Sequence, residues 1–196
     1  MRRLLLAACV VLAAGACSSG GPGASATSAP ASATSSTQVS STSIFVTAST
    51  RTTLKCRDQL GWNAPGSGYS VVLGQVGLPT KKAFGAARVH PHNPKSRYFA
   101  KQGLFIRPGA KFELIVPAAW KSRVVIGWGN PGEDTGHLWV ADCTPIKHGA
   151  HWMVFAGGFT VNKPACIPIV VKAGTQQKTV HVGAGKACPG EARPPK

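Results

Sequence analysis

The sequence predicts an all-β fold, a single antiparallel β-sandwich. Three observations carry this. Short runs rich in Val, Ile, Tyr, Phe and Trp recur from Tyr69 onward, several of them alternating apolar with polar residues. Gly and Pro, 23 and 15 of 196 residues, fall between many of those runs, where turns belong. Apolar spacing of helical period extends no further than about one turn, so the helical crossovers of a parallel α/β sheet are missing. Short strands with turn residues between them describe an immunoglobulin-like or jelly-roll-like sandwich.

The chain begins with a different kind of element. Arg2 and Arg3 precede the apolar run LLLAACVVLAA, residues 4–14. A bilayer span needs roughly 20 apolar residues. This run is shorter and is followed by small residues, so residues 1–16 read as a signal peptide. Ala14-Gly15-Ala16 before Cys17 suits an ordinary secretory cleavage site and equally a bacterial lipobox, and both cut between Ala16 and Cys17. The segment LAAGACSSG resembles the lipoprotein signals of high-GC Gram-positive bacteria, departing from them at Ala14, where Leu or Val is commoner. That resemblance implies a diacylglycerol on Cys17 and residence on the extracellular face of the cell membrane. Two acyl chains anchor a protein stably where one does so marginally. The alternative is a soluble secreted protein in which Cys17 has no special role.

Residues 18–43 (SSGGPGASATSAPASATSSTQVSSTS) contain no charged and no aromatic side chain. Such a segment buries too little apolar area to offset its ordering entropy, so residues 17–43 are expected to be a disordered, lipid-anchored linker. As a flexible coil it would reach roughly 28 Å, and its Ser, Thr and Pro content permits O-glycosylation. Residues 44–189 then form the sandwich domain, a length able to bury a core. Residues 190–196 (GEARPPK) are expected to be a flexible tail.

Within the domain the expected strands are Tyr69–Leu73, Tyr98–Ile106 with a break at Gln102-Gly103, Lys111–Val116, Arg123–Trp128, His137–Asp142, Trp152–Val161, Ile167–Lys172 and Lys178–Val182. The pair Gly157-Gly158 inside WMVFAGGFTV marks a bulge or tight bend. Pro117–Lys121 (PAAWK) offers a single helical turn.

Six cysteines are present. Cys9 leaves with the signal and Cys17 is the lipidation candidate. Cys56, Cys143, Cys166 and Cys188 remain, an even set in an exported chain, which implies two disulfides. Of the three connectivities, Cys143–Cys166 with Cys56–Cys188 is preferred. The first would staple neighbouring strands and the second would tie the start of the domain to its end. A zinc site would want a C-x-x-C pair, and none exists.

HLWVADC, HWMVFAGGFTV and CIPIVV resemble a recurrent type of actinobacterial exported domain, and the resemblance covers roughly residues 97–189. The resemblance implies a disulfide-bonded β-sandwich and export. It brings no catalytic or binding residues with it.

Lys and Arg number 22 against 6 Asp and Glu, a formal net charge of +16, and +14 once Arg2 and Arg3 are removed. Lys81, Lys82, Arg88, Lys95, Arg97, Lys101 and Arg107 concentrate this charge and are the candidate anion contacts. Outside the cytoplasm the available anions are lipid headgroups and wall polymers. Nucleic acid suits the charge but not the compartment.

Carboxylates are few. Glu133 and Asp134 are adjacent in GNPGEDTGH, where loop neighbours point apart, and Ser67 lacks a G-x-S-x-G elbow. No catalytic residue is assigned, and an envelope hydrolase is the weakest alternative. His90-Pro91-His92 and His148-Gly149-Ala150-His151 each offer two imidazoles without a third ligand, so no metal or other cofactor is assigned. Trp62 (GWNAPG) and Trp128 (GWGNPG) border loops and are the candidate exposed aromatics, whereas Trp139 and Trp152 lie in apolar strands and read as core. The reading that results is a non-enzymatic surface module contacting anionic envelope components or a partner protein. A carbohydrate- or small-ligand-binding sandwich is the main alternative.

Overall fold

Thirteen strands among the described residues build three open sheets. In spatial order the first sheet joins β1 (Thr52–Thr53), β9 (His137–Val140), β7 (Phe112–Ile115), β12 (Ala165–Ala173) and β13 (Gln176–Ala184). The second joins β10 (Met153–Phe155), β6 (Leu104–Ile106), β3 (Val76–Leu78) and β2 (Ser70–Val72). The third joins β4 (Ala87–Arg88), β5 (Tyr98–Lys101), β11 (Gly157–Val161) and β8 (Val124–Trp128). The coordinates are a computed structural model that describes residues 51–194. The signal segment 1–16, Cys17, the 18–43 linker and residues 195–196 lie outside the described residues.

The fold is all-β and sandwich-like, as its alternating runs require. In β7 and just beyond it Phe112, Leu114 and Val116 are buried; in β12 Ile167, Ile169 and Val171 are buried; in β13 Val180 and Val182 are buried. All join one core cluster with Val76, Leu78, Ile126, Phe155 and Phe159. Each fully buried side chain of this size contributes about 1.5–3 kcal/mol relative to exposure. Within PAAWK, where one helical turn is expected, Ala118–Trp120 forms a 3-10 turn, and Cys56–Asp58 forms another. Every strand pairing is antiparallel except β1 with β9, which run parallel with Thr52 opposite Leu138. Among the described residues no helix is long and apolar enough to cross a membrane.

One ribbon serves two sheets. Met153 faces Ile106 in the second sheet and Val161 faces Tyr98 in the third, with register unchanged across the breaks at Gln102-Gly103 and Ala156-Gly157. Gln102 N donates to Gly157 O at 2.8 Å inside the break. Glycine is demanded there by close approach. A Cβ on Gly157 would lie 2.1 Å from Gly127 O, and one on Gly158 would lie 2.1 Å from Ala100 O.

The disulfides correct the expected connectivity. They are Cys56–Cys143 and Cys166–Cys188, not Cys143–Cys166 with Cys56–Cys188. The sheet explains why. The parallel partnership of β1 and β9 carries Cys56, just past β1, to Cys143, just past β9. Cys166 sits in β12 opposite Gly183 of β13, and the chain returns through Gly185 to Cys188. The tail is corrected too. Glu191 accepts hydrogen bonds from Gly183 N and Cys188 N, and Ala192 bonds the backbone of Lys81 and Ala83, so residues 191–192 are docked instead of frayed.

Gln102 is buried at the ribbon's bend, and neither atom of its amide has a hydrogen-bond partner among the described residues. An unsatisfied buried polar group costs about 1–3 kcal/mol. Gln102→Leu should therefore raise the unfolding free energy by about 1 kcal/mol in urea titration. Gln59 is also buried, but both ends of its amide are bonded: Nε2 donates to Gly61 O at 2.9 Å and Oε1 accepts from Ile146 N at 3.1 Å. Gln59→Leu should lower stability by about 1 kcal/mol, the opposite sign, because Ile146 N loses its acceptor while Gly61 O keeps only the bond from Val154 N.

Candidate functional site

The loop 89–96 between β4 and β5 (VHPHNPKS) holds Pro91 and Pro94 and cannot continue a ladder. Beyond the bond from Val89 N to Arg97 O it closes through backbone turns and its own side chains. Ser96 Oγ accepts from His90 N at 2.8 Å, and Asn93 Oδ1 accepts from Lys95 N at 2.9 Å. Arg88 Nη1 donates to Pro94 O at 2.9 Å and to Asn93 O at 3.2 Å, while its guanidinium lies 5.0 Å from the Tyr98 ring centroid. Arg88 thus braces the loop as well as charging it.

This loop, with β5 and the segment 84–87, walls a groove of about 1180 Å³. Arg88, Lys95, Arg97 and Lys101 line it, together with Phe84 and Phe99; Asp134 is the one carboxylate in the lining. Arg97 is half-buried. Its Nη2 donates to Thr160 O at 3.1 Å, and its Nε is buried without a partner. Burial pushes the Arg97 guanidinium below its usual value, and the negative charge of Asp134 opposes that shift. The folded protein has already removed part of this cation's hydration, so an anion reaching it gains more than it would at an open lysine.

The candidate anion contacts therefore divide. Arg88, Lys95, Arg97 and Lys101 share the groove. Lys81 and Lys82 are exposed beside the docked tail and do not line it. Arg107 lies elsewhere: it stacks 4.1 Å from the centroid of the buried Trp152 ring and donates to His151 O. Phe84 lies just before β4, whereas the groove's remaining walls, Asp134 and Thr160, come from distant parts of the chain, and no local motif marks them.

Of the two candidate exposed aromatics, Trp62 is 49% exposed, with Lys147 Nζ 4.8 Å from its ring centroid. Trp128 is a correction: it is buried, donates from Nε1 to Gln102 O at 3.1 Å, and meets Phe159 edge-on at 5.2 Å. Gly157, opposite it on β11, leaves the space its indole fills. Trp152 is buried as expected, while Trp139 is only partly so, with Arg51 4.1 Å from its centroid.

The carboxylates are spoken for one at a time. Asp58 accepts from Asn130 N, Glu113 contacts His137, Glu133 pairs with Lys55 at 3.5 Å and Asp142 with Lys111 at 3.1 Å. Glu133 and Asp134 serve different surroundings, and Ser67 is an exposed turn residue. His90, His92, His148 and His151 are all exposed, and among the described residues no group of three His, Cys, Asp or Glu is placed to hold a metal. Compared with protein-family models, curated proteins and solved structures, the chain finds no match.

Proposed function

We propose that the domain is a non-enzymatic module on the extracellular face of the membrane, tethered through a diacylglycerol on Cys17. Its groove between the 84–87 segment and β5 takes an anionic cell-envelope polymer. The supporting observation is the convergence of Arg88, Lys95, Arg97 and Lys101 on one groove with a single carboxylate. Phe84 and Phe99 add an apolar strip suited to the face of a sugar ring, so a glycan chain bearing phosphate or carboxylate meets both kinds of wall. The charge surplus of the whole chain draws such a polymer in and makes the contact salt-dependent.

Titration of the full chain with a glycerol phosphate polymer, followed by calorimetry at two salt concentrations, tests this. Arg97→Ala should weaken binding about tenfold, as loss of a charge-assisted contact does. Lys95→Gln with Lys101→Gln, both exposed and neutral to folding, should weaken it similarly and flatten the salt dependence. Lys81→Gln with Lys82→Gln should change it less than about twofold. Salt-independent binding, or equal effects from both lysine pairs, would retire the groove as the contact.

A further inference from the structure

A second surface is built from the extended segment 59–62 and the turn at 145–148. Gln59 ties them together through its bonds to Gly61 O and Ile146 N. Leu60 N donates to Val154 O at 2.8 Å and Val154 N to Gly61 O at 2.9 Å, so the first segment is held extended against β10. In extended chain, residues two apart share a face, which puts Leu60 and Trp62 on one side. Lys147 reaches across to the Trp62 ring, so the turn lies beside the extended segment.

What these two segments present is unusual for a surface in water. Leu60 is 65% exposed, Trp62 49% and Ile146 69%, three of the five large apolar side chains exposed among the described residues. Burial in the fold explains none of them, although the backbone beneath is firmly bonded. Neighbouring exposed apolar groups on a rigid support mark an interaction surface. Side chains standing this far out of the surface suit a deformable acceptor better than a shaped protein pocket. Cations surround them: Lys147 stacks on Trp62, and Lys101 shares a shallow hollow with Leu60. Tryptophan between aliphatic groups and lysines is the composition favoured at the boundary of headgroups and acyl chains.

We propose that Leu60, Trp62 and Ile146, flanked by Lys147 and Lys101, form a membrane-docking face that enters the headgroup region of an anionic bilayer. The face is distinct from the anion groove apart from Lys101, which borders both. The apolar tips supply burial and the lysines supply attraction to anionic lipid, about 1 kcal/mol for each cation near the surface. A domain so docked lies against the membrane instead of ranging to the full reach of its linker.

The test follows Trp62 itself, so anchoring by any other part of the chain does not obscure it. The full chain is mixed with vesicles of equimolar brominated phosphatidylglycerol and phosphatidylcholine, and tryptophan quenching is recorded. Part of the emission should be quenched, and that part should vanish in Trp62→Phe. Leu60→Ser with Ile146→Ser, at exposed positions that leave the core intact, should reduce the Trp62 quenching at least tenfold in vesicle titration. Vesicles of brominated phosphatidylcholine alone should quench markedly less. Arg97→Ala should leave the quenching unchanged, which separates this face from the groove. Quenching identical in parent and Trp62→Phe overturns the proposal even when the chain sediments with the vesicles. Quenching insensitive to anionic lipid overturns its electrostatic half.

Discussion

Replacing Cys56 and Cys143 together by Ser is expected to lower the unfolding free energy by about 4–5 kcal/mol, against about 3 kcal/mol for Cys166 and Cys188. The bridges span 87 and 22 residues, and closing the longer ring removes more freedom from the unfolded chain. The local setting points the same way. The first bridge fixes the parallel β1–β9 edge, whose two-residue β1 has little else to hold it, while β12 and β13 remain zipped over nine residues without the second. Thermal unfolding of the two double variants reads the difference, with a midpoint drop of about 10 °C or more for the first. Equal losses, or the larger loss at Cys166–Cys188, would show that the short edge strand does not depend on its staple. Peptide mapping under non-reducing conditions checks the pairing directly.

Gly158→Ala carries the next largest expected effect, a loss of about 3 kcal/mol or more. The added methyl would sit 2.1 Å from Ala100 O and 3.0 Å from a Phe99 ring carbon, and neither the carbonyl nor the strand that bears it can retreat without opening the β5–β11 ladder. Gly157→Ala should behave alike, since its methyl would meet Gly127 O at 2.1 Å and Trp128 Cα at 2.7 Å. Gly66 is the control: a Cβ there meets nothing within 4 Å, and Gly66→Ala should stay within about 1 kcal/mol of the parent. Chemical denaturation measures all three. A Gly158→Ala protein as stable as Gly66→Ala would mean that the bend of the ribbon can relax.

The strands with clean alternation were legible from residues alone. KFELIV shows Phe112, Leu114 and Val116 inward, and the Gln-Gly and Gly-Gly breaks fall where the ribbon passes between sheets. The strands that escaped notice were those without a pattern to read. In β3 Val76, Gly77 and Leu78 are all buried, so no alternation appears, and β1 and β4 are two residues each. The disulfide pairing escaped for a related reason: it follows from the parallel β1–β9 contact, which no local signal announces. Trp128 looked exposed because GWGNPG reads as a loop, while its burial depends on a glycine 29 positions away in the sequence, Gly157. For the groove, residue types supplied the cations but not their company. Arg88, Lys95, Arg97 and Lys101 converge because one short hairpin carries them, whereas Asp134 and Thr160 arrive through tertiary packing.

The two covalent rings follow one another along the chain, 56–143 and then 166–188, with no overlap. Exported N-terminus first, as the proposed location requires, the chain would complete the earlier ring before either sulfur of the later one emerged. With residues 1–16 removed on export, as that proposal requires, the sole rival to Cys56 for Cys143 would be Cys17. The diacylglycerol proposed for Cys17 would block that thiol, so acylation would also steer the oxidation towards Cys56–Cys143.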